Sequence, residues 1–321
     1  MLLKYFTNCI KNIQKKKSII LIVFLFLIPD QSFAIKNKII LKVENNIITT
    51  LDIYEEINNL KFFNKNLSNI DNEEIYQIAI NSLTKYEVKK IEILKNFKKI
   101  ELVNQKPVEN IIQRTYEKLG FKELSDFKDE LKKNDINFQK YKEKLEVQIL
   151  WNQIIYQKYN KKITVNEKEI LEKIKSRDAK NKSFNLSEII FQIEEINNLE
   201  NFYQEITEYI NKFGFENAAL KYSISDTASN GGELDWVDED LLNDVIVQIL
   251  NKLENGAITK PIRISSGFLI LKKKDIREND KKIDVKEELV KVINFEKEKQ
   301  LSSYSNLYFN KVSKDLKINE P

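Results

Sequence analysis

The six glycines of this 321-residue chain are unevenly distributed, and their distribution limits what each part of the chain can form. Five of them lie between Gly214 and Gly267. Glycine supplies the positive-φ positions of tight turns, whereas it weakens the interior of a helix. We therefore expect a turn-rich unit around residues 214–267 and a mainly helical region before it.

The helical region begins after a predicted hairpin at residues 38–48. Thr49 and Asp52 form a capping pair that predicts the start of a helix, with Leu51 and Tyr54 on its apolar side. Helices are predicted over residues 51–63, 72–98, 107–119, 124–133, 137–159 and 164–175. We find no chemical motif in this region.

A polar segment, residues 176–183, separates the helical region from the turn-rich unit. Within that unit, strands are predicted over residues 184–193, 257–264 and 268–274, and helices over residues 199–213, 215–221 and 243–253. An amphipathic helix over residues 284–314 follows, and its apolar side needs a partner, for which the N-terminal helices are the obvious choice. The predicted fold class is therefore α+β: a mainly helical N-terminal module, completed by a C-terminal helix, around one inserted α+β domain.

Residues 1–34 have the three parts of a secretory signal. A basic stretch ends at Lys17, an apolar run covers residues 19–28, and the small residues Ser32 and Ala34 suit a cleavage site after Ala34. The apolar run is much shorter than the about 20 residues that a membrane span needs. We expect export to the periplasm with cleavage after Ala34, and the alternative is an inner-membrane anchor facing the periplasm.

The chain contains no histidine and one cysteine. These counts exclude serine–histidine and cysteine–histidine nucleophiles, histidine-ligated metal sites and disulfides within the chain. The excess of four positive charges lies in residues 1–34, which hold five lysines and one aspartate, so the rest of the chain is balanced. We therefore expect no nucleic-acid partner, no cofactor and no metal.

Four blocks of the turn-rich unit resemble the parvulin-type peptidyl-prolyl isomerases, also called the PpiC or rotamase family. The blocks are Tyr222-Ser223, Gly231–Val237, Leu253–Ile262 and Ser266–Leu271. The signal segment, the hairpin-then-helix start and the C-terminal helix resemble the SurA family of periplasmic chaperones. That resemblance implies a signal peptide at residues 1–34, an N-terminal helical domain at 35–175, one parvulin-like domain at 180–277 and a C-terminal helix at 283–321.

The resemblance also implies where an isomerase site would lie. Such an enzyme lowers a barrier of about 18–20 kcal/mol by binding the twisted amide, which requires an apolar proline pocket and polar groups around the carbonyl. The catalytic polar cluster maps to Glu188, Ser225, Asp226 and Ser266. The substrate-binding apolar pocket maps to Leu242, Ile246, Ile264 and Leu269.

Both histidines of the parvulin polar cluster are replaced in this chain, and by the resemblance they map to Glu188 and Leu269. A leucine side chain makes no hydrogen bond, and a buried carboxylate needs a partner or solvent. We expect Ser225, Ser266 and Tyr222 to be the nearby polar groups. The expected isomerase activity is therefore weak or absent, and the alternative is an active parvulin-type isomerase.

The resemblance implies a SurA-like periplasmic folding factor that binds unfolded or extended polypeptides, outer-membrane proteins in particular, through its helical module. Binding would use exposed apolar and aromatic side chains together with backbone hydrogen bonds. Trp151, Phe62, Phe63 and Tyr86 are candidates for this role, with packing in the core as the alternative role of each.

Overall fold

The computed structural model describes residues 37–175, 181–279 and 284–320. The predicted signal segment and its cleavage site after Ala34 lie outside the described residues. The described residues from Lys38 onward belong to one compact unit. No helix in these ranges is both long enough and apolar enough to cross a membrane.

Two groups of elements follow each other along the chain. The first group comprises β1 (Ile39–Val43), β2 (Asn46–Thr49), α1 (Thr50–Phe63), α2 (Asn72–Phe97), α3 (Lys106–Lys118), α4 (Leu124–Lys133), α5 (Phe138–Tyr159) and α6 (Glu167–Lys175). The second comprises β3 (Asn181–Phe191), α7 (Leu199–Phe213), α8 (Phe215–Tyr222), β4 (Glu233–Asp238), α9 (Asp244–Lys252), β5 (Ile262–Ile264) and β6 (Gly267–Asn279). Helix α10 (Val285–Lys314) and strand β7 (Ile318–Asn319) return to the first group. The predicted α+β class is confirmed.

Local hydrogen bonds explain where helices begin. Thr49 and Asp52 form the predicted capping box, in which the Thr49 amide donates to the Asp52 carboxylate at 2.9 Å. Helix α6 differs from the prediction because it starts at Glu167 instead of Thr164. Asn166 caps this helix, since its side-chain oxygen accepts from the amide of Glu169 at 3.2 Å.

The buried side of α1 also differs from the prediction. Leu51 and Tyr54 are 43% and 41% exposed, whereas Glu56 is buried. The Glu56 carboxylate accepts a hydrogen bond from Ser82 at 2.5 Å and pairs with Lys144. A paired carboxylate therefore takes a core position, which leaves two apolar side chains on the surface.

Helix α10 packs against the N-terminal helices. The indole N–H of Trp151 in α5 donates to Ser305 Oγ of α10 at 2.8 Å, and both residues are buried. The rings of Tyr159 and Tyr304 stack with centroids 4.6 Å apart. Strand β7 then pairs with β1, so the three-stranded sheet has the order β2-β1-β7. The last elements of the chain therefore complete the module that the first elements begin.

The sheet of the α+β part has the strand order β4-β3-β6-β5, and all its pairings are antiparallel. Strand β4 was not predicted. A bulge beside Leu186 and Ser187 shifts its register, and Asp235 has a positive φ of 55°, so the alternation of polar and apolar residues is broken. Strand β3 starts at Asn181, inside the segment that we predicted to be a linker.

Strand β5 is shorter than predicted because Pro261 precedes it and cannot donate to a ladder. Of the residues predicted before it, Ile258 forms only an isolated bridge with Lys272. Helix α9 ends at Lys252, and Gly256 lies in the turn after the helix.

Helices cover both faces of this sheet. One face packs against α9 through a cluster that includes Phe184, Leu186, Ile190, Ile246 and Leu269. The other face packs against α7 and α8 through a cluster that includes Ile189, Phe191, Ile206, Phe215 and Ile270. The face that packs against α9 carries Glu188 and the four predicted apolar residues, Leu242, Ile246, Ile264 and Leu269.

Candidate functional site

Glu188 lies in the middle of β3 and is partly buried. Because side chains alternate along a strand, it projects from the same face as Leu186 and Ile190. Its Oε1 atom accepts hydrogen bonds from Ser225 Oγ at 2.7 Å and Thr227 Oγ1 at 2.9 Å. The structure thus brings Glu188 and Ser225 together and adds Thr227, a residue that the sequence analysis missed.

Burial raises the pKa of Glu188 above its ordinary value. The hydrogen bonds from Ser225 and Thr227 act in the opposite direction, and the negative charge of Asp226 adds to the increase. Burial therefore favours the neutral acid, and a neutral carboxyl group can donate a hydrogen bond as well as accept one. The site thus contains a hydrogen-bonded cluster of three side chains, the carboxyl group of Glu188 and the hydroxyl groups of Ser225 and Thr227.

The loop that carries Ser225 is fixed to β3 by backbone contacts. The Ile224 amide donates to the Ile190 carbonyl at 2.7 Å, and the Ile190 amide donates to Ser223 Oγ at 3.1 Å. Ser225 then caps a 3-10 turn over Asp226–Asn230. The loop ends at Gly232, whose carbonyl accepts from the Glu188 amide at 2.7 Å. Both ends of the loop therefore hold it beside Glu188.

The four predicted apolar residues belong to one hydrophobic cluster on the same sheet face. Ile246 and Leu269 are buried, and Leu242 and Ile264 are partly buried at its border. Leu269 is paired with Ile190 on β3. The structure therefore places an apolar cluster, two of whose four predicted members are buried, next to the hydrogen-bonding cluster.

Asp226 and Ser266 have other partners. The Asp226 carboxylate faces Lys89 of α2, with Oδ1 2.9 Å from Nζ. Ser266 lies in the β5–β6 turn, where its carbonyl accepts from Gln192 Nε2 at 2.8 Å. Its buried hydroxyl has no hydrogen-bond partner among the described residues. The turn lies beside Phe191 of β3, which is three residues after Glu188. Ser266 and Glu188 are therefore separated by about 10 Å along the strand direction.

Three residues near the site were not predicted. Thr227 could have been found because it lies two positions after Ser225 in the same loop. Lys85 and Lys89 could not, since more than 130 residues separate them from Ser223 and Asp226, their partners in the loop. In the described ranges, no group of three or more cysteine and acidic side chains is arranged to hold a metal ion.

Comparison with known families identifies the α+β part. A family model described as "Rotamase: PPIC-type PPIASE domain" matches residues 189–275. The chain contains a PpiC-type domain. The match covers the Ser225 loop, Leu242, Ile246 and Leu269, and it begins one residue after Glu188.

Curated relatives extend the similarity beyond the PpiC-type domain. The chaperone SurA of Pectobacterium atrosepticum is 24% identical over 174 residues, which cover 51% of this chain and 40% of that protein. The chaperone SurA of Nitrosococcus oceani is 26% identical over 164 residues, which cover 48% of this chain and 38% of that protein. The chain thus spans about 40% of the length of the curated relatives that it matches.

Two solved structures are also similar. A crystal structure of a PpiC-type peptidyl-prolyl isomerase domain is 26% identical and covers 30% of this chain and 94% of its own, with a TM-score of 0.27. A chain from the structures of PEB4 and Cj1289, described as SurA-like chaperones of Campylobacter jejuni, is 16% identical. It covers 89% of this chain and 99% of its own, with a TM-score of 0.35.

Glu188 and Leu269, the positions that the sequence analysis predicted for the two family histidines, lie on neighbouring strands. Glu188 is paired with Leu271, and Ile190 with Leu269, so Glu188 and Leu269 are diagonal neighbours on one face. One position offers a carboxyl group and the other offers only methyl groups. Of these two side chains, only that of Glu188 can form hydrogen bonds.

Proposed function

We propose that this chain is an exported folding factor of the SurA kind. It binds unfolded outer-membrane proteins in the periplasm through its helical module, and its PpiC-type domain isomerises prolines weakly or not at all. The observation that carries the proposal is a groove on the helical module that exposes apolar side chains to solvent.

The groove lies where β2, α1, α2 and α5 meet, and we call it the α1 groove. It consists of a cavity of about 170 Å³, lined in part by Ile47 and Tyr86, and an adjoining depression lined by Leu51 and Tyr54. Both parts share Glu55. Ile47, Leu51 and Tyr54 are 49%, 43% and 41% exposed. Single exposed apolar residues are ordinary, but three at one groove support an interaction surface.

The position of β2 suits an extended client. Strand β2 forms one edge of the three-stranded sheet, and Ile47 projects from it beside the groove. A polypeptide in extended conformation can add to such an edge through backbone hydrogen bonds, while its side chains enter neighbouring pockets. This mode of binding depends little on client sequence, which suits a chaperone.

Of the four aromatic candidates from the sequence, only Tyr86 lines this groove. Trp151 is fully buried, and Phe62 and Phe63 pack at the border of the helical core. Because Leu51 and Tyr54 of α1 are exposed at the groove, Tyr54 is a further aromatic candidate for client binding.

The charge of the α1 groove favours clients with basic side chains. Its cavity is lined by more carboxylates than ammonium groups: Asp52, Glu55, Glu56, Glu87 and Glu143 against Lys90, Lys140 and Lys144. Burial raises the pKa of Glu87. The hydrogen bond from Asn46 therefore does not fully offset the cost of burying the negative charge of this carboxylate. A lysine or arginine side chain of a bound polypeptide would compensate it.

The argument for weak isomerisation comes from the sheet face with Glu188. Leu269 cannot bind a rotating carbonyl, and Oε1 of Glu188 is already engaged by Ser225 and Thr227. The alternative is an active isomerase. It is favoured by the hydroxyl groups beside the apolar cluster, because prolyl isomerisation requires no proton transfer and hydrogen-bond donors alone can stabilise the twisted amide.

Two assays on the same preparation separate these functions. The chain without residues 1–34 should suppress aggregation of a urea-unfolded β-barrel outer-membrane protein at equimolar ratio. It should accelerate exchange of a proline peptide far less than a PpiC-type domain with both histidines. Unchanged aggregation would refute the chaperone proposal, whereas exchange at the rate of the histidine-containing domain would establish the isomerase.

Export is tested separately by N-terminal sequencing of the protein recovered from the periplasm. We expect the sequence to begin at Ile35. A chain that begins at Met1 and stays with the inner membrane would establish the anchored alternative.

A further inference from the structure

We propose that Lys85 and Lys89 of α2 are positioning residues for the PpiC-type site. They hold the loop of residues 223–227 so that Ser225 and Thr227 stay directed at Glu188. The proposal rests on the proposed function only in treating the Glu188 face as the isomerase-type site.

The two lysines lie one turn apart on α2 and contact the same loop. Lys85 Nζ donates to the Ser223 carbonyl at 2.8 Å. Lys89 Nζ lies 2.9 Å from Asp226 Oδ1. The ammonium of Lys89 is fixed on its other side by Gln148 Oε1 of α5, at 2.7 Å. Helix α2 of the helical module thus contacts the loop at two points, the Ser223 carbonyl and the Asp226 carboxylate.

A continuous chain of hydrogen bonds leads from this contact to the site. Ser223, whose carbonyl binds Lys85, also accepts from the amides of Ile190 and Ser225 through its Oγ, at 3.1 and 3.3 Å. Ser225 Oγ then donates to Glu188 at 2.7 Å. Each residue in this path is in direct contact with the next, so a change at α2 alters the donors that reach Glu188.

Other contacts already join the two parts of the chain without touching the loop. Leu220 of α8 packs into a cluster with Ile75 and Ile78 of α2. Lys221 forms an ion pair with Glu74 at 2.8 Å. Lys85 is therefore not needed merely to attach the PpiC-type domain. Burial lowers the pKa of Lys85 to about 8, because the charged ammonium group is unfavourable in this buried position beside the loop.

Helix α2 also contributes to the α1 groove. Leu83, Tyr86, Glu87 and Lys90 line the cavity of the groove, in the same two turns that carry the loop-binding lysines. A client that shifts these turns of α2 would act on the hydrogen bonds of Glu188. The positioning lysines thus connect the polypeptide-binding surface with the isomerase-type site.

The test measures the titration of Glu188 in the full mature chain, by carbon NMR of glutamate side-chain carboxyl groups, with E188Q to assign the signal. The variants are K85M and K89M. The control is K221M, which removes an ion pair between the same two parts but leaves the loop contacts in place. K89R keeps a cation opposite Asp226 and tests for rescue.

We expect K89M to raise the titration midpoint of Glu188, because the charge of Asp226 is no longer neutralised, and K85M to raise it because the loop donors loosen. K221M and K89R should leave the midpoint unchanged. Midpoints that stay the same in both K85M and K89M would overturn the proposal, as would an equal shift in K221M. Since no client or substrate is added, failure of the chaperone or isomerase assays would not affect this result.

Discussion

Gly232 lies directly against the backbone of Glu188. A Cβ atom on Gly232 would come within 2.2 Å of the Glu188 carbonyl oxygen, and the residue has a φ of +77°. The G232A variant should therefore disturb both the positive-φ conformation of the loop at residue 232 and the close contact between this loop and β3. We expect the free energy of unfolding to fall by more than the about 1–2 kcal/mol that a left-handed alanine costs.

G256A is the matched control for this measurement. Gly256 has a similar φ of +88°, but a Cβ atom there would meet nothing within 4 Å. Urea unfolding of the two variants therefore separates backbone strain from the clash. Equal losses would show that β3 can move away from the loop without cost.

Replacing Glu188 by glutamine should change the pH dependence of stability. Burial raises the pKa of Glu188, so the folded state holds the proton more strongly than the unfolded state. Its contribution to stability is therefore present at low pH and is lost as the pH rises through the folded pKa. E188Q keeps an oxygen acceptor for Ser225 and Thr227 and should be more stable than the wild type at neutral pH, but not at pH 4. Urea unfolding at both pH values checks this, with the exposed Glu254 as E254Q control.

Lys85 gives a pH effect in the alkaline range. Its pKa is lowered by burial from 10.5 to about 8, so the unfolded state binds the proton more strongly between these values. The stability of the wild type should therefore rise relative to K85M as the pH increases from 8, by up to about 3 kcal/mol over the full interval. Urea unfolding at pH 7.5, 8.5 and 9.5 measures the difference. A constant difference between the two proteins would contradict the assignment.

The bond between Trp151 and Ser305 should matter for the helical module. S305A leaves the buried indole N–H without its acceptor, and we expect a loss of about 1–3 kcal/mol in the free energy of unfolding. S302A, on a less buried position of the same helix, should change stability little. If the two variants unfold alike, the indole has found another acceptor.

The α1 groove can be tested by removing its apolar side chains. The double variant L51S/Y54S should suppress aggregation of the unfolded β-barrel protein several-fold less well than the wild type. L307S/Y156S is the control because these residues are of the same types and 43% and 56% exposed, yet lie outside the groove. Equal loss in both variants would indicate general surface hydrophobicity instead of a defined groove.

Most helices of this chain could be predicted because their signals are local. The capping box at Thr49 marked the start of α1 correctly, and the five clustered glycines marked the turn-rich unit. The predictions failed where a distant contact decided the outcome. Glu56 took a core position because Lys144 and Ser82 pair with it, and no pattern within α1 contains that information.

The candidate site shows the same limit. Its strand and loop residues could be placed because the resemblance to parvulins supplied the spacing of Glu188, Ser225 and Leu269. The contacts of Lys85 and Lys89 with the loop depend on how two separate parts of the chain pack. Side-chain type and spacing do not predict such contacts, since a lysine on a helix is ordinarily a solvated surface residue.

The pairing of β1 with β7 has a consequence for the order of assembly. The strands and helices of the PpiC-type domain are contiguous from residue 181 to residue 279, and Val292 of α10 completes one of its two hydrophobic clusters. The contacts of the N-terminal hairpin with β7, and of α5 with α10, can form only after α10 and β7, the last described elements, have been synthesised. Until then the indole of Trp151 and the outer edge of β1 are uncovered. During synthesis the strands and helices of the PpiC-type domain are therefore all present before the helical module can be completed.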